Sequence, residues 1–398
     1  MTWRWITLCL AGSTLLLAET PAQQAAGRIN GHSLEMFQAF RRMTKGNFSF
    51  SPYSGHRLAS LLAEGATGET QRQLLDFTGM DPDKAGRMAS LEAVSEALRT
   101  GKPGMSLDVC NAIWVPSTAS LAPGFEDLAA RLFSTSFKKL PGGDAVACSA
   151  RINAWVREKT LGKISDLIGP RNFAAGTSSA VLVNTLHLRV AWAQDFDPRM
   201  TRRQAFLPAS GTTLILPMMK QQRRFDYAEG PAWQCLDMPF IGGDYAMAFL
   251  LARPESDRDS VEAALDANAW TRIISGMGSR EAVISLPRFS FSTQVTLNGL
   301  WQSMGVHDVF DSGSANLGGM IRGSPCFIGD IVHQTSVEVN ELGARVAAAT
   351  TAAAPFGDAP GPSDQATPVL FTANRPFLWF VRHRPTGLLL FMGRFAGE

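Results

Sequence analysis

Over residues 33–42 the apolar side chains Leu34, Met36, Phe37 and Phe40 recur near helical spacing, which predicts an opening amphipathic helix. A strand-and-turn passage follows from Asn47 to Ser51. Pro52 then stands at the start of a second helix, where an amide with no intrahelical partner loses nothing to proline. That helix is predicted from Tyr53 to Glu64, stopping at Gly65, and Gly68-Glu69-Thr70 opens another turn. Further helices are predicted over 84–98, 123–133 and 147–167. After Ser178 the pattern changes. The runs at 180–184 and 245–250 read as buried strands, and further strands follow at 283–286, 377–381 and 388–392. Helices first and sheets later, with no low-complexity linker and no internal repeat, predict a single α+β domain.

One stretch fits neither period. From Gly343 to Pro368 an alanine-rich run is followed by Pro355, Gly357, Pro360, Gly361, Pro362 and Pro368, so its second half reads as an exposed, partly extended loop. Loops of this length inside a compact domain are functional or disordered.

At the N-terminus Arg4 precedes an apolar stretch, 5–18, that ends in small and polar residues, the layout of a secretory leader. Cleavage after Ala18, Ala22 or Ala26 is compatible with it, which places a leader within 1–26 and the domain at 27–398; the alternative is a buried N-terminal helix. The stretch is too short and interrupted for a membrane span, and Cys9 lacks the small residues a lipid-anchor site needs before it. The expectation is a soluble mature protein, secreted or periplasmic, with no membrane partner.

Composition narrows the chemistry. Among 398 residues, 45% are hydrophobic and 18% charged, with a formal charge of +2, as in a globular domain with a substantial core. The densest basic groups, Arg41-Arg42, Arg202-Arg203 and Arg223-Arg224, are only pairs and read as solvated surface, so no nucleic-acid partner is expected. Cys110, Cys148, Cys235 and Cys326 are scattered without a C-x-x-C spacing, which argues against a metal site and leaves three possible disulfide pairings. No nucleophile elbow, zinc-helix motif or phosphate-binding glycine loop is present, so neither an enzyme nor a cofactor is expected. Asn47-Phe48-Ser49 matches a glycosylation acceptor, yet Phe48 and Phe50 alternate with polar residues as in a buried strand, so Asn47 is expected to hydrogen-bond inside the fold.

Several short motifs in order carry a family resemblance. They run from Asn47–Ser54 and Gly65–Thr70, through Thr160–Ile164 and Val183–His187 with Trp192, to Phe196-Asp197-Pro198, Thr201, Phe206 and Met218-Met219. Leu286-Pro287-Arg288-Phe289, His333, Glu338 to Thr350, Ala373–Phe377 and Phe391-Met392-Gly393-Arg394 complete them. In these residues the chain resembles a serpin over nearly its whole length.

The resemblance implies three β-sheets, about nine helices and an exposed reactive-centre loop near 343–368. It implies a suicide inhibitor of serine proteases: the protease cleaves the loop, and the cleaved loop inserts as a new central strand while the acyl-linked protease is dragged with it. Glu341, Gly343, Ala344, Arg345, Val346, Ala347, Ala348, Ala349 and Thr350 match the loop hinge. Ser51, Ser54, Asn184 and His333 fall at the cluster that controls opening of the main sheet. Trp192, Thr201 and Arg288 fall where the loop first enters, and Arg288 and Glu341 match a bridging pair.

The residues test this demand independently. After Gly343 the first proline is Pro355, so residues 343–354 are free to join a ladder and would span about 40 Å as a strand. Ala344, Val346, Ala348 and Thr350 would share one face, while Arg345 points to the other. The family usually has Thr or Ser at the position of Ala344 and a small residue at that of Val346. A larger side chain there slows insertion, and slow insertion lets the protease escape, so a non-inhibitory serpin acting as a binding or carrier module is the second reading. Counting from Glu341 places the scissile bond at Phe356, Gly357 or Asp358. With no Lys or Arg between Arg345 and Arg375, the expected target is chymotrypsin-, elastase- or subtilisin-like, met by a monomer.

Overall fold

Thr20 opens the first helix with a reciprocal cap, its hydroxyl accepting from the Gln23 amide at 3.2 Å while the Thr20 amide donates to Gln23 Oε1 at 2.9 Å. The computed structural model describes residues 18–99, 105–141, 144–160, 162, 164–173, 179–322, 326–343 and 367–397. In chain order the elements are α1 (Pro21–Met43), β1 (Phe48–Phe50), α2 (Pro52–Gly65), α3 (Gly68–Thr78), α4 (Lys84–Arg99), β2 (Met105–Val115), β3 (Ser120–Leu121), α5 (Phe125–Phe133), β4 (Thr135–Lys139) and α6 (Ala145–Lys159). There follow β5 (Ala180–Val190), β6 (Arg202–Phe206), β7 (Leu214–Glu229), β8 (Trp233–Pro239), β9 (Tyr245–Ala252), α7 (Arg258–Ala263), α8 (Ala267–Ser275), β10 (Gly278–Pro287) and β11 (Phe289–Thr296). The chain ends with α9 (Asn298–Ser303), β12 (Ile321–Arg322), β13 (Ile328–Val339), β14 (Val369–Thr372), β15 (Phe377–His383) and β16 (Leu389–Phe395).

The described residues therefore form nine α-helices and three sheets, an α+β domain. One sheet has five strands in the order β11-β13-β5-β2-β4. A larger one runs β1-β16-β15-β9-β8-β7-β10-β14 with β6 beside β7, and β3 pairs with β12. Helix α6 covers one face of the five-stranded sheet, burying Cys148, Ile152 and Val156 among Val181, Val183 and Val332. The opposite face sends Ile113, Leu182 and Ile331 into a core shared with Leu58, Leu61 and Leu62 of α2. Alternation along each strand thus serves two apolar layers at once, which is why β5 reads as a continuous hydrophobic run.

Several expected boundaries shift. Helix α1 begins at Pro21 rather than 33, with Ala25, Ala26 and Ile29 buried, so packed structure starts ahead of residue 27. Gly68 opens the full helix α3 rather than a turn. The helix expected over 147–167 ends at Lys159, because the Thr160 hydroxyl donates to the Val156 carbonyl at 2.8 Å and accepts from the Ile164 amide at 3.1 Å, turning the chain. Strands also appear in the first half: β2 pairs with β5 and β4 with β2. The Asn47 side chain is internal, as expected, accepting from the Ala396 amide at 2.6 Å. Cys148, Cys235 and Cys326 are buried free thiols, so no disulfide joins them.

The Phe391–Arg394 motif finds its reason where three strands meet. Gly393 pairs with Ser49 of β1 and with Trp379 of β15, and a Cβ there would meet the Phe48 carbonyl and lie 2.5 Å from the Trp379 ring. Gly393→Ala is expected to lower stability by about 1–3 kcal/mol through overpacking, read as a lower urea midpoint at unchanged slope.

Candidate functional site at a parallel strand seam

Strands β5 and β13 are neighbours and run parallel, with Val183 opposite Val332, Asn184 opposite His333 and Thr185 opposite Gln334. Both strands continue outward on their far sides into antiparallel pairs, β13 with β11 and β5 with β2. The seam between them is the only parallel pairing at the centre of this sheet among the described residues.

Four residues meet across that seam. The Ser51 amide donates to His333 Nε2 at 3.2 Å, so the ring proton sits on Nδ1, which donates to Asn184 Oδ1 at 2.5 Å. Asn184 Nδ2 in turn donates to Ser54 Oγ at 2.5 Å and to Asn111 Oδ1. The Ser51 hydroxyl caps α2 by accepting from the Ser54 amide at 3.2 Å, and it donates to the Leu390 carbonyl at 2.7 Å. Pro52 at the first helical position directs α2 straight away from this cap. All four residues are buried, and each polar group finds a complementary partner in one consistent set of orientations. Ser49 extends the network, bonding Thr335 at 2.6 Å and Thr293 at 3.3 Å.

A second cluster lies where the chains leaving β5 and β13 separate. Arg288 donates from Nε to both Glu341 carboxylate oxygens at 2.7 Å, a second donor reaches the same group from Nη2, and Thr201 Oγ1 donates to Oε1 at 2.5 Å. Burial raises the Glu341 carboxyl, but the bonds from Arg288 and Thr201 outweigh it and hold its pKa below the ordinary value. The Trp192 indole donates to the Asn340 carbonyl at 2.9 Å, and the Phe196 amide donates to the Glu341 carbonyl at 2.9 Å. Gly343 follows with φ at 86°, the left-handed turn by which the chain leaves the strand.

The structure thus brings together Ser51, Ser54, Asn184 and His333 in one cluster, and Trp192, Thr201, Arg288 and Glu341 in another. Ala344, Arg345, Val346, Ala347, Ala348, Ala349, Thr350, Phe356, Gly357 and Asp358 lie outside the described residues. Sequence reasoning missed Asn111 and Asn340. The apolar run Ala112-Ile113-Trp114-Val115 was the available signal, since recognising it as a strand would have put Asn111 at the edge of the core.

This geometry is a closed polar seam with a tethered chain emerging beside it. The family model described as "Serpin (serine protease inhibitor)" matches residues 28–397. The chain belongs to the serpin family, whose members are inhibitors of proteases rather than enzymes. Plasminogen activator inhibitor 1 of Neovison vison is 29% identical over 402 residues, covering 98% of each chain. An uncharacterized serpin-like protein of Methanosarcina mazei is 27% identical, over 98% of this chain and 91% of its own length. Among solved structures, Serpin48 of Tenebrio molitor superposes with a TM-score of 0.82 at 22% identity, covering 96% of this chain and 100% of the other. The thermophilic serpin Tengpin in its native state gives 0.81 at 19% identity, with 96% of each chain covered. At those identities the two structures support the fold alone.

Burial pushes the pKa of His333 down to about 3, and burial likewise lowers His56 to about 4 and His32 to about 3. Each folded value lies below the unfolded one near 6.5, so each neutral ring contributes stability above pH 6.5 that is lost as pH falls toward 3–4. The expected loss is about 1.4 kcal/mol per pH unit per histidine across that window. Melting followed by circular dichroism between pH 7 and pH 5 should show the fall, and His333→Gln should make its slope shallower.

Proposed function

We propose that this serpin inhibits a serine protease of chymotrypsin-, elastase- or subtilisin-like specificity by offering the 343–368 loop as bait and inserting residues 343–354 between β5 and β13. The observation that carries this reading is the parallel seam. A strand that follows β13 through the short turn at Asn340–Gly343 must run antiparallel to β13, and therefore to β5. Its arrival replaces one parallel ladder with two antiparallel ones, which are more stable per residue. The far end of the loop joins β14, which pairs parallel with β10 in the other sheet, so the bait is strung between two sheets and inserts far only once cut. Strands β15 and β16, buried along their whole length, keep the C-terminal piece attached afterwards.

Incubation with a protease panel tests this. A chymotrypsin-like enzyme should form an SDS-stable complex and release a C-terminal peptide whose mass places the cut near Phe356, while trypsin forms none. Cleaved protein should melt far above the intact form, and Ala348→Pro should abolish the complex and leave plain cleavage, because proline cannot join a central ladder. Cleavage with no complex and no rise in melting temperature would favour the binding or carrier reading instead.

The same chain is proposed to be exported, with its leader removed after Ala18. Cleavage after Ala22 would strip the Thr20 cap, and cleavage after Ala26 would also remove the buried Ala25 and Ala26. Gln23 further ties the helix start to the Pro385 carbonyl at 3.0 Å. N-terminal sequencing of protein recovered outside the cytoplasm should begin at Glu19; a start at Gly27 would contradict this placement.

A further inference from the structure

Both ends of the 343–368 loop are tied to one sheet. Before its start, the Glu341 carboxylate accepts from Thr201 Oγ1 at 2.5 Å, and Thr201 directly precedes β6. After its end, Val369 opens β14. Between β6 and β14 lie β7 and β10, paired in the order β6-β7-β10-β14. A protease holding the loop is therefore brought up to these strands.

Those strands carry charge of one sign. From Pro198 to Phe225 the chain has no acidic residue but six cations, Arg199, Arg202, Arg203, Lys220, Arg223 and Arg224. Along the chain they read as scattered pairs. Pairing of β6 with β7 gathers them, setting Arg202 opposite Met218, two residues from Lys220. By alternation Lys220, Gln222 and Arg224 share one face, in register with Ser285, Val283 and Glu281 of β10. Thr372 and Leu370 of β14 continue the same face. Arg202, Lys220, Gln222 and Arg224 are exposed, and Leu370 is 67% exposed at the strand that receives the loop. Little of this charge is cancelled. Arg199 is taken up by Asp197 at 2.8 Å, and Arg224 donates to Ser279 rather than to a carboxylate. Glu281 is the acidic member of the face and accepts from Gln222 at 2.7 Å. Lys220 and Arg223 form no ion pair among the described residues.

We propose that this face docks the body of the target protease, and that the protease it fits carries an acidic surface beside its active site. The proposal rests on the inhibitory reading above and gives it a second determinant of specificity, set by charge rather than by the bait. Leu370 supplies an apolar contact within the cationic rim. Exposed cations of this kind act mainly on the rate of encounter, and salt screens them.

Trapping of α-chymotrypsin and of its succinylated form, whose lysine amines have become carboxylates, tests this with one active site and two surface charges. Each rate is divided by that enzyme's kcat/KM on a short chromogenic peptide. At about 20 mM ionic strength the succinylated enzyme should be trapped at least about tenfold faster, and the gap should close near about 0.5 M. Lys220→Glu and Arg202→Glu should each shrink the gap by about threefold or more, with circular dichroism confirming their fold. Arg151→Glu, the same charge change at an exposed position on α6, should leave it unaltered. Equal rates for the two enzymes, a gap unchanged in both face variants, or an equal loss in Arg151→Glu overturns the docking surface. Should neither enzyme form a complex, the inhibitory reading falls. The same comparison of loop-cleavage rates then decides the surface, because docking precedes cleavage whether or not the protease is trapped.

Discussion

The bond from His333 Nδ1 to Asn184 Oδ1 crosses the parallel seam at the centre of the five-stranded sheet. Backbone pairing alone would leave two parallel strands that are each better satisfied by an antiparallel neighbour. The polar cluster opposes that exchange. Buried, fully paired hydrogen bonds are strong in a low-dielectric interior, and opening the seam would leave donors and acceptors stranded unless new partners arrived at once. Side-chain bonds therefore reinforce the weaker of the two kinds of strand pairing at this seam. The neutral state of His333 belongs to the same constraint, since a charged ring could not accept from the Ser51 amide.

The other features gain their meaning from that seam. Helix α6 lies over its outer face and α2 begins at its inner face, so both apolar layers resist separation of the strands. At one end Arg288 and Thr201 grip the carboxylate of Glu341, two residues before Gly343. The chain beyond the loop is anchored in β14, which belongs to a different sheet.

Much of this was legible from local pattern. Helix α2 was read almost to the residue because its two ends carry chemistry of their own, a Ser51 cap with Pro52 and a closing Gly65. β5 and β9 were read from unbroken apolar runs, and the loop from its prolines. Helix α1 was cut short because its first turns share composition with a leader, although the T-x-x-Q cap at Thr20 and Gln23 was present to be noticed. The overrun of α6 came from an apolar period that continues past Lys159, where a threonine hydroxyl, not the period, ends the helix. β2 and β4 were missed because their partner, β5, lies many residues away, and pairing at that separation leaves no local mark.

Residue identity alone was enough to settle the family, the absence of catalytic motifs and the length of chain able to become a strand, since proline spacing and apolar period are properties of the chain itself. The family resemblance grouped Ser51, Ser54, Asn184 and His333, but which atoms bond, and that Asn111 joins them, was decided only in three dimensions. Nothing local to Asn111, Asn184, Ser54 or His333 says that four separate segments share one hydrogen-bonded seam, because hydrogen bonds between buried side chains depend on strand order and register, and these are set by packing the whole domain at once.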